Sequence, residues 1–156
     1  MALQIVLVNN HPREEAARDQ VMRLHERYDL ARLQFTDRVA INHLAIPFSH
    51  PVLTLNARWL RDDHAALSTY LHEQLHWLAG ASYDRVAKAE IELWGRYPDV
   101  PDFEHGGARD EYSTYLHLVV CALEYKCLIE LLGGRRSNRH HRLNEGLPLD
   151  LRHDPE

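Results

Sequence analysis

The stretch "TYLHEQLHWLAG" (residues 69–80) decides how the rest of the chain is read. Its apolar residues Leu71, Leu75 and Leu78, continued upstream by Leu67, recur at spacings of three and four, as on a helix with one buried stripe. Asp62 or Asp63 can cap its start, and Gly80 marks its end. Set into it is His72-Glu73-Gln74-Leu75-His76, an H-E-x-x-H pattern. Helix positions i and i+4 lie about 40° apart, so His72 and His76 project from one face and can share a tetrahedral ion. Glu73 is offset from His72 by about 100°, where it reaches a water beside the ion without being a ligand. With 12 His in the chain, a random shuffle would contain such a pattern roughly one time in fifteen. Its setting in an apolar helix gives the match its weight.

Outward from this helix, "PVLTLN" (51–56) reads as a short strand, with Pro51 suited to an edge. "LQIVLVN" (3–9) is rich in β-branched residues and reads as a buried strand. Pro12 opens an amphipathic helix with apolar residues at Ala16, Val21, Leu24 and Tyr28. "RLQFTDRVAI" (32–41) alternates, with Leu33 and Phe35 inward, as a strand with one wet face. Downstream, "SYDRVAKAEIELWGRY" (82–97) is a third helix. Pro98 and Pro101 begin a loop of about a dozen residues ending at Gly106-Gly107, long enough to act as a lid carrying Phe103 and His105. "ARDEYSTYLHLVVCALEYKCLIELL" (108–132) is then a long apolar helix stopped by Gly133-Gly134. The order β-α-β-β-α-α-α predicts an α+β fold, a small mixed sheet of about three strands packed against several helices. One domain covers residues 1–134, and residues 135–156 form a basic surface tail.

Composition narrows the function. A chain of 156 residues with 45% hydrophobic residues can bury a real core as one soluble domain. A net charge of −5 argues against nucleic acid or an anionic membrane as the main partner. Cys121 and Cys127 are six apart on one helix and so point to different sides, which disfavours a disulfide and favours a reducing compartment. The start "MALQIVLVNN" has no basic region and too short an apolar run for a signal peptide, so a cytoplasmic location is expected. No P-loop, dinucleotide glycine pattern or G-x-S-x-G occurs.

The H-E-x-x-H helix behind an edge strand resembles the active-site helix of the zincin superfamily of metallopeptidases, over roughly residues 50 to 125. The resemblance implies zinc held by His72 and His76, with Glu73 as general base. It also implies a peptide or protein substrate whose backbone adds to the strand edge. The metzincin branch continues with Gly and His after the second histidine; Ala79 and Ser82 stand there, and that branch is excluded. The gluzincin branch takes its third ligand from a Glu on a later helix, which nominates Glu111. The residues themselves favour His117, an imidazole set in the apolar run "YLHLVVCALEY" that needs a partner for its ring nitrogens. Glu111 sits in the first helical turn, where acids are common for the helix dipole alone. Glu124 and Asp110 each lie seven residues from His117 on its face and suit outer-shell carboxylates.

Other residues carry weaker readings. His43 and His50 flank the edge strand as substrate contacts or ordinary loop histidines; His64 is a surface residue at a helix start. Cys121 shares the His117 face as a small, buried, inert thiol. Tyr112 and Tyr115 are oxyanion donors by location only. Arg135, Arg136, Arg139, His140, His141 and Arg142 form a solvated basic cluster. The expectation is a zinc hydrolase of the metallopeptidase type; the alternative is a non-catalytic metal-binding or protein-interaction module on the same scaffold. Metal-free chance matching is the third reading.

Overall fold

The computed structural model of this chain describes residues 2–133. The basic tail expected over 135–156 lies outside them. Three strands, β1 (Gln4–Leu7), β2 (Arg38–Ile41) and β3 (Leu53–Leu55), form one sheet in the order β1-β2-β3. Among the described residues four α-helices accompany the sheet: α1 (Pro12–Arg27), α2 (Asp63–Ala81), α3 (Tyr83–Arg96) and α4 (Glu111–Gly133). The α+β expectation stands.

The sheet is parallel throughout, which corrects the mixed sheet expected from the sequence. Helix α1 makes the first crossover. Residues 42–52 make the second without a helix, braced where Ala45 N–H donates to Asn42 O at 3.1 Å and Asn56 Nδ2 to Ala45 O at 3.0 Å. In the ladder Ile5 lies beside Val39 and Val39 beside Leu53, while Leu7, Ile41 and Leu55 form the next row. Both rows enter one core with Val21 and Leu24 of α1 and Leu67 and Leu71 of α2. The alternate residues Gln4, Val6 and Arg38 are exposed, so helices cover one face of the sheet.

Helix α2 is the hub, packed on β3, α1, α3 and α4. Asp62 caps it, accepting from the His64 and Ala65 amides at 3.0 Å each. Leu75 and Ala79 of α2, Val86 of α3 and Val120 of α4 make a second core cluster. Helix α4 starts at Glu111 rather than 108 because Asp110 Oδ1 takes the Ser113 N–H at 2.7 Å. Asp110 is therefore a helix cap, not an outer-shell carboxylate.

The strand expected over 32–41 is shorter. Ala31–Leu33 forms a 3-10 turn, and the amides of Phe35 and Thr36 donate to Gln74 Oε1 at 2.7 and 2.9 Å. A side chain from α2 takes the hydrogen bonds that a strand would give to its neighbour. The last described loop, 97–110, is tightly wound. Gly107 N–H donates to Asp102 O at 2.7 Å, and a Cβ at Gly107 would stand 1.8 Å from the Pro101 carbonyl oxygen. None of the helices among the described residues is long and apolar enough to cross a membrane.

Candidate metal centre

Helices α2 and α4 face each other through two ladders. On α2 these are Ser68, His72 and His76, spaced by four; on α4 they are His117, Cys121 and Glu124, spaced by four and three. His76 meets His117 at one end, and Ser68 Oγ donates to Glu124 Oε1 at the other. Helical periodicity alone puts each set on one face. The packing of the core clusters beneath turns the two faces together.

At the upper end His72, His76 and His117 converge. Their ring centroids lie 5.0, 5.6 and 4.9 Å apart, and one nitrogen from each ring lies within 4.8 Å of the other two. The Nε2 atoms of His72 and His76 are 3.3 Å apart. Two nitrogens bound to one tetrahedral zinc at about 2.0–2.1 Å must lie about 3.3 Å apart. Without an ion, the same contact is an N–H···N hydrogen bond.

The opposite nitrogens are held. His72 Nδ1 donates to Glu124 Oε2 at 2.9 Å, and His117 Nδ1 donates to the Ser113 carbonyl oxygen at 2.7 Å. Each bond fixes the tautomer that leaves Nε2 with its lone pair toward the common centre. The hydrogen bond it donates to Glu124 pushes the His72 ring up, against burial. Burial raises Glu124 in turn, but the bonds from His72 and Ser68 outweigh it and keep this carboxyl below its ordinary value. His76 is pushed down to about 4, chiefly by burial and then by the charges of His72, His117 and His50, which keeps its ring neutral.

Glu73 is 7% exposed and lies outside the set of converging atoms. Burial pushes its carboxyl up to about 7; His72 opposes and Glu124 reinforces this, and no hydrogen bond enters. A buried carboxyl pushed toward neutrality has the protonation chemistry that a general base needs.

The runner-up ligand, Glu111, is exposed on the first turn of α4 and takes no part in this set. Tyr115 is committed elsewhere, its hydroxyl donating to the Tyr97 carbonyl at 2.6 Å. Tyr112 lines the groove between α3 and α4 and is absent from the converging set. Neither tyrosine is an oxyanion donor in this arrangement. Phe103 is 74% exposed and His105 is tied to Asp102 at 2.6 Å, so the loop carries them as surface groups.

His50 stacks on Trp77 with centroids 4.3 Å apart, and its charge reaches His76. The Trp77 indole donates to Ser49 O at 2.9 Å and pins that loop to α2. His43 is instead bound to Glu14 at 2.9 Å. His64 is on the surface, as expected. Cys121 is exposed, not buried as expected, because α4 has an apolar outward side; its thiol lies with His72 and Glu124 in a second possible ligand set. Both cysteines are free.

The edge of β3 is not open. Thr54, the residue of β3 that faces outward, exchanges hydrogen bonds with Phe48 at 2.7 and 3.1 Å. The expected free edge for a substrate backbone is filled by the chain itself. Comparison with models of known protein families, with curated proteins and with solved structures gives no match.

Proposed function

We propose that this chain is a zinc-dependent hydrolase of the metallopeptidase type, acting on a peptide or protein substrate in the cytoplasm. The observation that carries the reading is the convergence of His72, His76 and His117, with two Nε2 atoms at the spacing that a tetrahedral ion requires. The donor set fits zinc: three imidazoles, two of them oriented from behind by Glu124 and Ser113. When bound, zinc supplies a Lewis acid that acidifies water and polarises a carbonyl. The chain's own residues do the rest. His72, His76 and His117 would hold the ion through Nε2. Glu73 accepts a proton from the attacking water on its carboxylate and delivers it to the leaving nitrogen. Its burial keeps that carboxylate poorly solvated and basic enough for the task.

One observation favours a second reading, a non-catalytic metal-binding or interaction module: Phe48 occupies the β3 edge on which a peptide would add. The two readings separate in one experiment. Metal content of untagged protein is measured for wild type and for His72→Ala, His117→Ala, Glu111→Ala and Glu73→Gln, and hydrolysis is followed with a quenched-fluorescence peptide library. The expected result is about one zinc per chain, lost in His72→Ala and His117→Ala and kept in the other two. Glu73→Gln should lower turnover by about 10²–10⁴-fold. Retention in His117→Ala with loss in Glu111→Ala would move the third ligand. One zinc without hydrolysis would leave the second reading in its metal-binding form, and no zinc would sink the hydrolase and leave an interaction domain.

A further inference from the structure

Helix α3 carries an acid within its apolar face. Val86 and Glu90 are its two buried residues, at 8% and 9% exposure. Glu90 Oε1 is buried with no hydrogen-bond partner among the described residues. No cation among them pairs with it, and burial pushes its carboxyl up. A buried acceptor without a donor is costly, and such a group calls for an explanation.

The surroundings supply one. Glu90 lines a groove of about 380 Å³ between α3 and α4, with Ile91, Trp94, Glu111, Tyr112 and Tyr115. That volume is in the range of small-ligand pockets. Ile91, Trp94 and Tyr112 are 68%, 58% and 56% exposed, a bare apolar and aromatic surface around an acid. Tyr115 offers its ring only, since its hydroxyl is taken by Tyr97. Glu111, not required at the metal centre, adds a second carboxylate at the same groove.

We propose that the α3–α4 groove binds an organic amine, a primary ammonium on an apolar stem. The Glu90 carboxylate, which lines the groove, turns to accept the ammonium N–H in a charge-assisted hydrogen bond. Trp94 and Tyr112 supply aromatic faces that favour a cation, and Ile91 packs against the stem. Two carboxylates and no basic side chain in the lining reject anions. The site is independent of any metal chemistry in this chain.

The test uses the whole protein and proton–nitrogen correlation spectra that resolve the indole N–H of Trp94 from those of Trp59 and Trp77. The probes are benzylamine, for a free aromatic amine; Nα-acetyl-lysine methylamide, for a lysine side chain; and benzyl alcohol, as the uncharged isostere. The expected result is a saturable shift of Trp94 alone by at least one amine, with a Kd on the order of 1 mM, as suits a fragment. Which amine binds tighter identifies the source. Benzyl alcohol should bind at least about 10-fold more weakly. Glu90→Gln should abolish this preference while leaving the Trp59 and Trp77 signals in place, and Glu90→Asp should retain part of it. Equal binding of alcohol and amine, an unchanged preference in Glu90→Gln, or no shift with either amine would overturn the proposal.

Discussion

Glu14 is 0% exposed and joins three parts of the chain. Its Oε2 accepts the Asn9 amide at 2.8 Å, and its Oε1 accepts Asn9 Nδ2 at 2.8 Å, the His43 amide at 3.1 Å and His43 Nδ1 at 2.9 Å. It thus fastens the ends of β1 and β2 to the first turn of α1, where His11 caps the helix and stacks on His43 with centroids 4.1 Å apart. Burial alone would raise this carboxyl, but the hydrogen bonds from His43 and Asn9 outweigh it and hold it well below the ordinary carboxylate range. A depressed folded-state value contributes stability above the unfolded-state value, and that contribution is lost as pH falls through the folded one. Denaturant unfolding between neutral pH and strong acid should therefore show wild-type stability falling below the ordinary Glu range. Glu14→Gln should be weaker at neutral pH and show a shallower acid limb, by the uptake of about one proton. Parallel curves for the two proteins would mean that Glu14 binds its proton equally in the folded and unfolded states.

Within α2, Gln74 is one of the two residues that the H-E-x-x-H pattern leaves unspecified, and it is wholly buried. Its Oε1 takes the Phe35 and Thr36 amides, and its Nε2 donates to Thr36 O at 2.9 Å and Tyr70 Oη at 3.1 Å. Gln74→Leu fits the volume but strands these groups in the core, and should cost roughly 3 kcal/mol in urea unfolding. A loss below about 0.5 kcal/mol would show that the 34–37 segment finds other partners. This residue also shows what periodicity can reveal. The seven-residue step from His117 to Glu124 and the four-residue step from His72 to His76 are helical geometry, so the converging faces were legible. The end of β2 was not: alternating Leu33 and Phe35 resemble a strand, and a side chain 38 residues on claims the Thr36 amide. Cys121 misled for a related reason. Apolar residues such as Leu118, Tyr125 and Ile129 are exposed on α4, so an apolar neighbourhood in sequence was no measure of burial. The parallel crossover through 42–52 depends on backbone contacts at Asn42, Ala45 and Phe48 that no side-chain pattern announces.

For the whole molecule, the proposed ion is a brace. His72 and His76 stand on the hub helix, and His117 on the helix that packs against α2 and α3. A ligand that binds only the folded state stabilises it by about 2.7 kcal/mol at 100 times its Kd. In a chain of 156 residues that should raise Tm by roughly 5–10 °C. Thermal unfolding with added zinc should show this rise, and a chelator should reverse it. His117→Ala breaks the link between helices and leaves two ligands on α2, so its zinc-dependent rise should largely vanish. Glu73→Gln removes a base but no ligand, and its rise should be undiminished. That pair of variants distinguishes an interhelical ion from one gathered elsewhere. An equal rise in wild type and His117→Ala would place the stabilising zinc on other histidines, with His140 and His141 the first to replace. A rise lost in both variants would make Glu73 a ligand, closing the site that the hydrolytic reading requires to be open.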